Sequence, residues 1–222
     1  MNSFINVLLL FVSLPMFLLT IFVGFDLPIE MLRIQAQEIP HLDYIFAGFA
    51  AILFAISLRR TIRRWSGLYL VNQRKKYAFN VEIKSERKKR VIIYTMLEAV
   101  ISAYFGYTYT ALTPEAWAPS VVMYTFAIEG MIFLTYGLLA RKFRVGITSK
   151  AVLVSDREVK VLYFSGLRQI SIEQQSIYFE YINNLQLNFP VDCLDEGNRD
   201  EFFGYLRNQV DEDRVLFRIL EK

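Results

Sequence analysis

The chain of 222 residues is 54% hydrophobic and 15% aromatic, with a mean hydropathy of +0.30 and a formal net charge of +3. A soluble domain carries about 45–50% apolar residues, so the excess calls for segments that sit in hydrocarbon. The single cysteine, Cys193, excludes an internal disulfide and a thiolate metal cluster, and the single histidine, His41, removes most imidazole-based catalysis and metal binding.

Phe4–Phe25 is almost wholly apolar and long enough to cross a bilayer, with Pro15 as a kink. A cleaved signal peptide is the rival reading. It lacks a positive n-region and a small-residue cleavage site, which favours a retained helix. The connection Asp26–His41 holds Asp26, Glu30 and Glu38 against Arg33 and is expected outside the membrane. Leu42–Leu58 forms a second span, with Ala47, Ala51 and Ala55 repeating along one face as a packing seam.

From Arg59 to Arg90 the chain holds twelve of its twenty-five Lys and Arg residues against only Glu82 and Glu86. Such a block stays on the cytoplasmic face. Leu58, Ile62, Trp65 and Tyr69 fall on one side of a continuing helix, and Arg59, Arg60, Arg63 and Arg64 fall toward the other. A second cluster, with Lys88, Lys89 and Arg90, leads into a third span, Val91–Leu112. The plain reading is a topology determinant resting on anionic lipid through these seven cations; nothing beyond charge points to nucleic acid. Thr113–Pro119 lacks Lys and Arg and turns outside, before a fourth span at Ser120–Ala140 that Arg141, Lys142 and Arg144 stop on the cytoplasmic side. Tyr104, Tyr107 and Tyr109 read as an outer aromatic belt. Four spans with both termini inside satisfy every charge count.

Beyond Phe143 the pattern shifts to short segments. Arg144–Thr148, Val152–Ser155, Val159–Phe164, Gln169–Glu173, Ile177–Ile182 and Leu185–Pro190 read as strands, with Asn183-Asn184 as a hairpin turn. Asn198 with Glu201 three residues on signals a helix whose stripe is Phe202, Leu206 and Val210. Val215–Leu220 fits either a strand or a helical extension. The expected architecture is therefore a four-helix transmembrane domain at 1–142, with the basic cytoplasmic loop at 59–90, then a small mainly-β cytoplasmic domain at 143–222 closed by a helix.

Gly146-Ile147-Thr148 at a strand end, Phe164-Ser165-Gly166-Leu167-Arg168-Gln169-Ile170, and Phe189-Pro190 ahead of the helix with Glu201-Phe202 follow a familiar order. On these stretches the region from Phe143 to about Val210 resembles the bacterial pleckstrin-homology-like (PH-like) domains that hang from short membrane anchors. Phe164 stands where that family commonly has Trp, and four spans exceed its usual one or two. The resemblance implies a bacterial inner-membrane protein whose domain offers surfaces to proteins or lipids, with no catalytic residue and no cofactor to carry over.

Two carboxylates fall within the expected spans. Glu98 has Thr95 and Ser102 on its face, and Glu129 has Thr125 and Tyr136 on its own. A charged acid at the centre of a membrane helix costs about 2.5–3.5 kcal/mol on insertion scales. A polar clasp between the third and fourth helices, a proton or cation relay, and contact with a membrane partner all fit this pattern. Neither a phosphate loop after a strand nor a Gly-x-Ser-x-Gly elbow occurs. The leading expectation is a non-enzymatic adaptor or regulator whose cytoplasmic domain binds a protein partner or lipid. The alternative is an ion-coupled transport component working through Glu98 and Glu129. Both admit a homo-oligomer.

Overall fold

The computed structural model describes residues 2–29, 34–73, 76–173, 175–210 and 215–219. Glu30 and Arg33 of the first connection, Arg74 and Lys75 of the basic stretch, and Leu220 lie outside them. In chain order the elements are helix α1 (Asn2–Gly24), a short ribbon of β1 (Pro28–Ile29) and β2 (Ile34–Gln35), helix α2 (Leu42–Val71), strand β3 (Phe79–Glu82), helix α3 (Ser85–Leu112) and helix α4 (Trp117–Leu139). Strands β4 (Arg144–Ile147), β5 (Ala151–Ser155), β6 (Val159–Tyr163), β7 (Leu167–Glu173), β8 (Ser176–Tyr181) and β9 (Gln186–Pro190) follow, then helix α5 (Glu196–Gln209) and strand β10 (Leu216–Ile219). The chain divides into two compact units, residues 1–62 with 95–132 and residues 63–94 with 133–222.

Among the described residues, three helices are long and apolar enough to cross a membrane: Leu42–Val71, Ser85–Leu112 and Pro114–Leu139. Phe11–Gly24 of α1 is a shorter apolar helix. In the first unit α2 packs through Leu42, Phe46, Ala50, Leu53 and Ser57, a row spaced by four, four, three and four. Ala47, Ala51 and Ala55 are exposed, so the expected alanine seam lies on the other face of this helix. Its neighbours instead approach through glycine and hydroxyls. Gly24 backs onto the Leu112 carbonyl, where a Cβ would come within 2.8 Å. Thr113 Oγ1 donates to Thr20 O at 3.0 Å, and Ser120 Oγ donates to Gly106 O at 2.5 Å. Tyr104 and Tyr107 are exposed as expected. Tyr109 is fully buried and stacks on Phe105, because two residues carry a helix roughly 200° round from Tyr107.

The second unit holds two four-stranded sheets, in the orders β3-β4-β5-β6 and β10-β7-β8-β9. All their pairings are antiparallel except that of β10 with β7. Each of the six expected strands is present within two residues of its expected bounds. Thr148 closes the β4–β5 turn, its Oγ1 accepting from Ala151 N at 3.0 Å. Asn184 adopts the left-handed conformation (φ 56°) that the β8–β9 hairpin requires, one Asn tolerates well.

Asp195 caps α5, its Oδ1 accepting from Glu196 N at 3.0 Å, so the helix starts ahead of the expected Asn198. Phe202 and Leu206 turn inward as expected, and Phe202 meets Phe79 and Phe189 at centroid distances of 5.7 and 5.9 Å. The open question over the last apolar piece resolves to a strand, β10.

Strand β3 lies inside the stretch expected to be a basic loop. It pairs with β4 from Phe79–Ile147 to Glu82–Arg144, and Arg144 Nη2 donates to Asn80 O at 2.9 Å. Phe79, Val81 and Ile83 are alternate residues that belong to the core or pack against it. That period of two was the readable signal, hidden by the surrounding charge.

Candidate functional site

Within the basic stretch, Arg60 of α2 and the cations leading into α3 meet carboxylates. On α2, Arg60 meets Glu98 of α3 through both terminal guanidinium nitrogens, Nη2 donating to Oε2 at 2.6 Å and Nη1 contacting Oε1. A hydrogen bond between a guanidinium and a carboxylate is charge-assisted and stronger than a neutral one. Arg64 is 2% exposed, with its guanidinium 5.5 Å from the centre of the Phe133 ring. Arg59 is exposed and Arg63 half-buried.

The lead-in to α3 pairs with carboxylates of the β-rich region. Arg87 donates through Nη2 to Asp156 Oδ2 at 2.5 Å and lies 3.6 Å from Asp192 Oδ1. Arg90 donates to Asp192 Oδ2 at 2.7 Å, Lys88 meets Glu82 Oε1 at 2.5 Å, and Lys84 approaches Glu196 Oε1 at 3.8 Å. Asp156 is nearly buried, and its other oxygen accepts from Arg157 N and Glu158 N at the β5–β6 turn. Lys88 and Glu82 are close in the chain, but Glu196, Asp156 and Asp192, which meet Lys84, Arg87 and Arg90, lie more than sixty residues away, which hides those pairings from the sequence.

Beside this cluster, burial pushes the Cys193 thiol up to about 12. The carboxylates of Asp156 and Asp192 add to the shift and Arg87 opposes it. Burial also raises the phenols of Tyr77 and Tyr181. These are structural positions rather than activated nucleophiles, since a reactive thiol needs a lowered pKa.

The expected intramembrane residues separate. Thr95 is buried, and with Ala99 it faces Gly130 of α4 at Cβ-contact distance. Glu98 has a guanidinium partner that the sequence reading did not supply. Glu129, next to Gly130, and Ser102 are half-buried. Thr125 is exposed and satisfied by its own helix, Oγ1 donating to Val121 O at 2.8 Å. Tyr136 belongs to a different group: its ring lies 5.5 Å from that of Trp65, and Lys142 Nζ sits 4.2 Å above it and contacts its hydroxyl. Among the described residues, no three His, Cys, Asp or Glu side chains converge as metal ligands would.

The β-rich region exposes large apolar side chains at neighbouring loop tips. Ile182 and Leu185, 69% and 52% exposed, flank the Asn183-Asn184 turn, and Ile182 N donates to Gly166 O of the β6–β7 turn at 2.9 Å. Tyr163, 60% exposed, ends β6 three residues before Gly166. Comparison with known proteins found no matching family model, no matching curated protein and no matching solved structure.

Proposed function

We propose that this chain is a non-enzymatic, multi-pass adaptor or regulator of the bacterial inner membrane, whose cytoplasmic PH-like domain binds a protein partner. In this reading α1 is a fourth span and both termini are cytoplasmic. Support for the orientation comes from the basic stretch after α2 and from Arg141, Lys142 and Arg144 after α4. The PH-like reading is supported by a four-stranded meander followed by a three-stranded one and a helix packed on Phe79 and Phe189. The helical pair α3–α4 is then an insertion between the first two strands of that domain.

The observation that carries partner binding is the exposed apolar group at Ile182, Leu185 and Tyr163. Large apolar side chains exposed together at neighbouring turns mark an interaction site more often than a solvated face. Affinity purification of the full-length chain in mild detergent, beside an Ile182→Asp/Leu185→Asp variant, tests this. The variant is expected to insert normally and lose its partner; the same partner at the same yield on both would refute the reading.

The second reading, an ion-coupled component, rests on the Arg60–Glu98 pair with Glu129 on the adjoining helix, since ionisable residues in spans tend to be functional. It predicts that Glu129→Gln abolishes solute-dependent activity in vesicles at normal protein level.

A further inference from the structure

The geometry points to a binding site for the phosphate of an anionic phospholipid at Lys142, Tyr136 and Arg141, walled by Trp65. The inference rests on the membrane-spanning reading of α4. Helix α4 ends in a Schellman turn, with Arg141 in the left-handed conformation (φ 49°) and Lys142 N donating to Gly137 O at 2.9 Å. That turn sends the Lys142 side chain back along the last helical turn, where its ammonium sits over the Tyr136 ring and meets the hydroxyl.

An ammonium has three donors, and the phenol oxygen takes one. Among the described residues no carboxylate pairs with Lys142 or with exposed Arg141, in contrast to Arg60, Lys88 and Arg90. Two adjacent cations thus remain for an external anion, held at a defined height by a pair of amphipathic rings. The same helix says where the rest of the ligand lies. Tyr136 and Leu139 are exposed three residues apart, a short apolar stripe that runs up to Lys142. A free phosphate would use the cations alone; a phospholipid uses the cations and the stripe together.

Trp65 is the natural reporter, because the only other tryptophan, Trp117, is 60% exposed and replaceable by Phe. The full-length Trp117→Phe chain is placed in vesicles containing brominated phosphatidylglycerol or brominated phosphatidylcholine, and quenching of Trp65 is measured. Brominated phosphatidylglycerol is expected to bind about fivefold or more strongly at equal mole fraction, as one or two unpaired cations near a headgroup imply. The preference should vanish in Lys142→Gln and persist in Lys142→Arg. Equal quenching by the two lipids, or a preference untouched by Lys142→Gln, overturns the site. Relief of quenching by excess inorganic phosphate also overturns it, in favour of a soluble phosphate ligand. Absence of quenching by either lipid overturns the membrane-spanning reading and the site with it.

Discussion

Cys193 shows how one side chain reports on its surroundings. It is fully buried beside Asp156 and Asp192, and its thiol is held up to about 12 from an ordinary 9.0. Above pH 9 the unfolded chain sheds the thiol proton while the folded chain keeps it, so the folded state binds more protons there. Stability from this group is therefore complete below pH 9 and falls as pH rises toward 12, by up to about 1.4 kcal/mol per pH unit. Thermal unfolding in detergent should show a steeper loss between pH 9 and 11 for the parent than for Cys193→Ala. Maleimide should label Cys193 at pH 8 only after denaturation; labelling of the folded protein at the rate of a free thiol would contradict this burial. The sequence showed a lone cysteine but not its burial, which comes from distant residues gathered around it.

At the scale of single elements, two helical glycines make opposite predictions. Gly137 in α4 faces the ring of Phe143, and a Cβ there would lie 2.3 Å from Cζ of that fully buried side chain. Gly137→Ala should destabilise by about 1–3 kcal/mol, the usual result of overpacking. Gly204 in α5 is exposed with nothing within 4 Å of a built Cβ, so Gly204→Ala should stabilise by about 1 kcal/mol through helix propensity alone. Melting temperatures of the two variants in one detergent check both signs. Element type was largely legible in the sequence, because a period near 3.6 or 2 and long apolar runs are local properties. The inward faces of α2 and the burial of Tyr109 were not, since which face packs depends on neighbours far along the chain. Nor was the guanidinium opposite Glu98, thirty-eight residues away on another helix. The exposed pair at Ile182 and Leu185 lies within stretches read as strand ends, and only the hairpin geometry turns both outward.

On the scale of the whole chain, the boundary drawn at Phe143 from the change in pattern leaves out β3, because twelve basic residues masked four alternating ones. The β-rich unit takes its first strand from Phe79–Glu82 and puts Phe79 and Ile83 in the same core as Phe179, Phe189 and Phe202. A fragment of residues 143–222 would bare the β4 edge and leave a hole where the Phe79 ring packs on Phe202. Losing a buried Phe alone costs about 3–5 kcal/mol, a large part of a small domain's stability. Such a fragment is expected to give a poorly dispersed amide NMR spectrum. The repair is short, because Ile83 N donates to Phe143 O at 3.2 Å, which brings the two chain segments side by side. Joining residues 76–84 to 143–222 through Asn-Gly, a two-residue hairpin connection, should restore a dispersed spectrum and a cooperative melt. Equal dispersion for both fragments would show that β3 adds nothing the remaining strands and α5 do not already hold. Dispersion for the joined fragment alone would show that the domain is interrupted in sequence by α3 and α4, so that whatever binds or strains those helices acts on a sheet whose first two strands flank them.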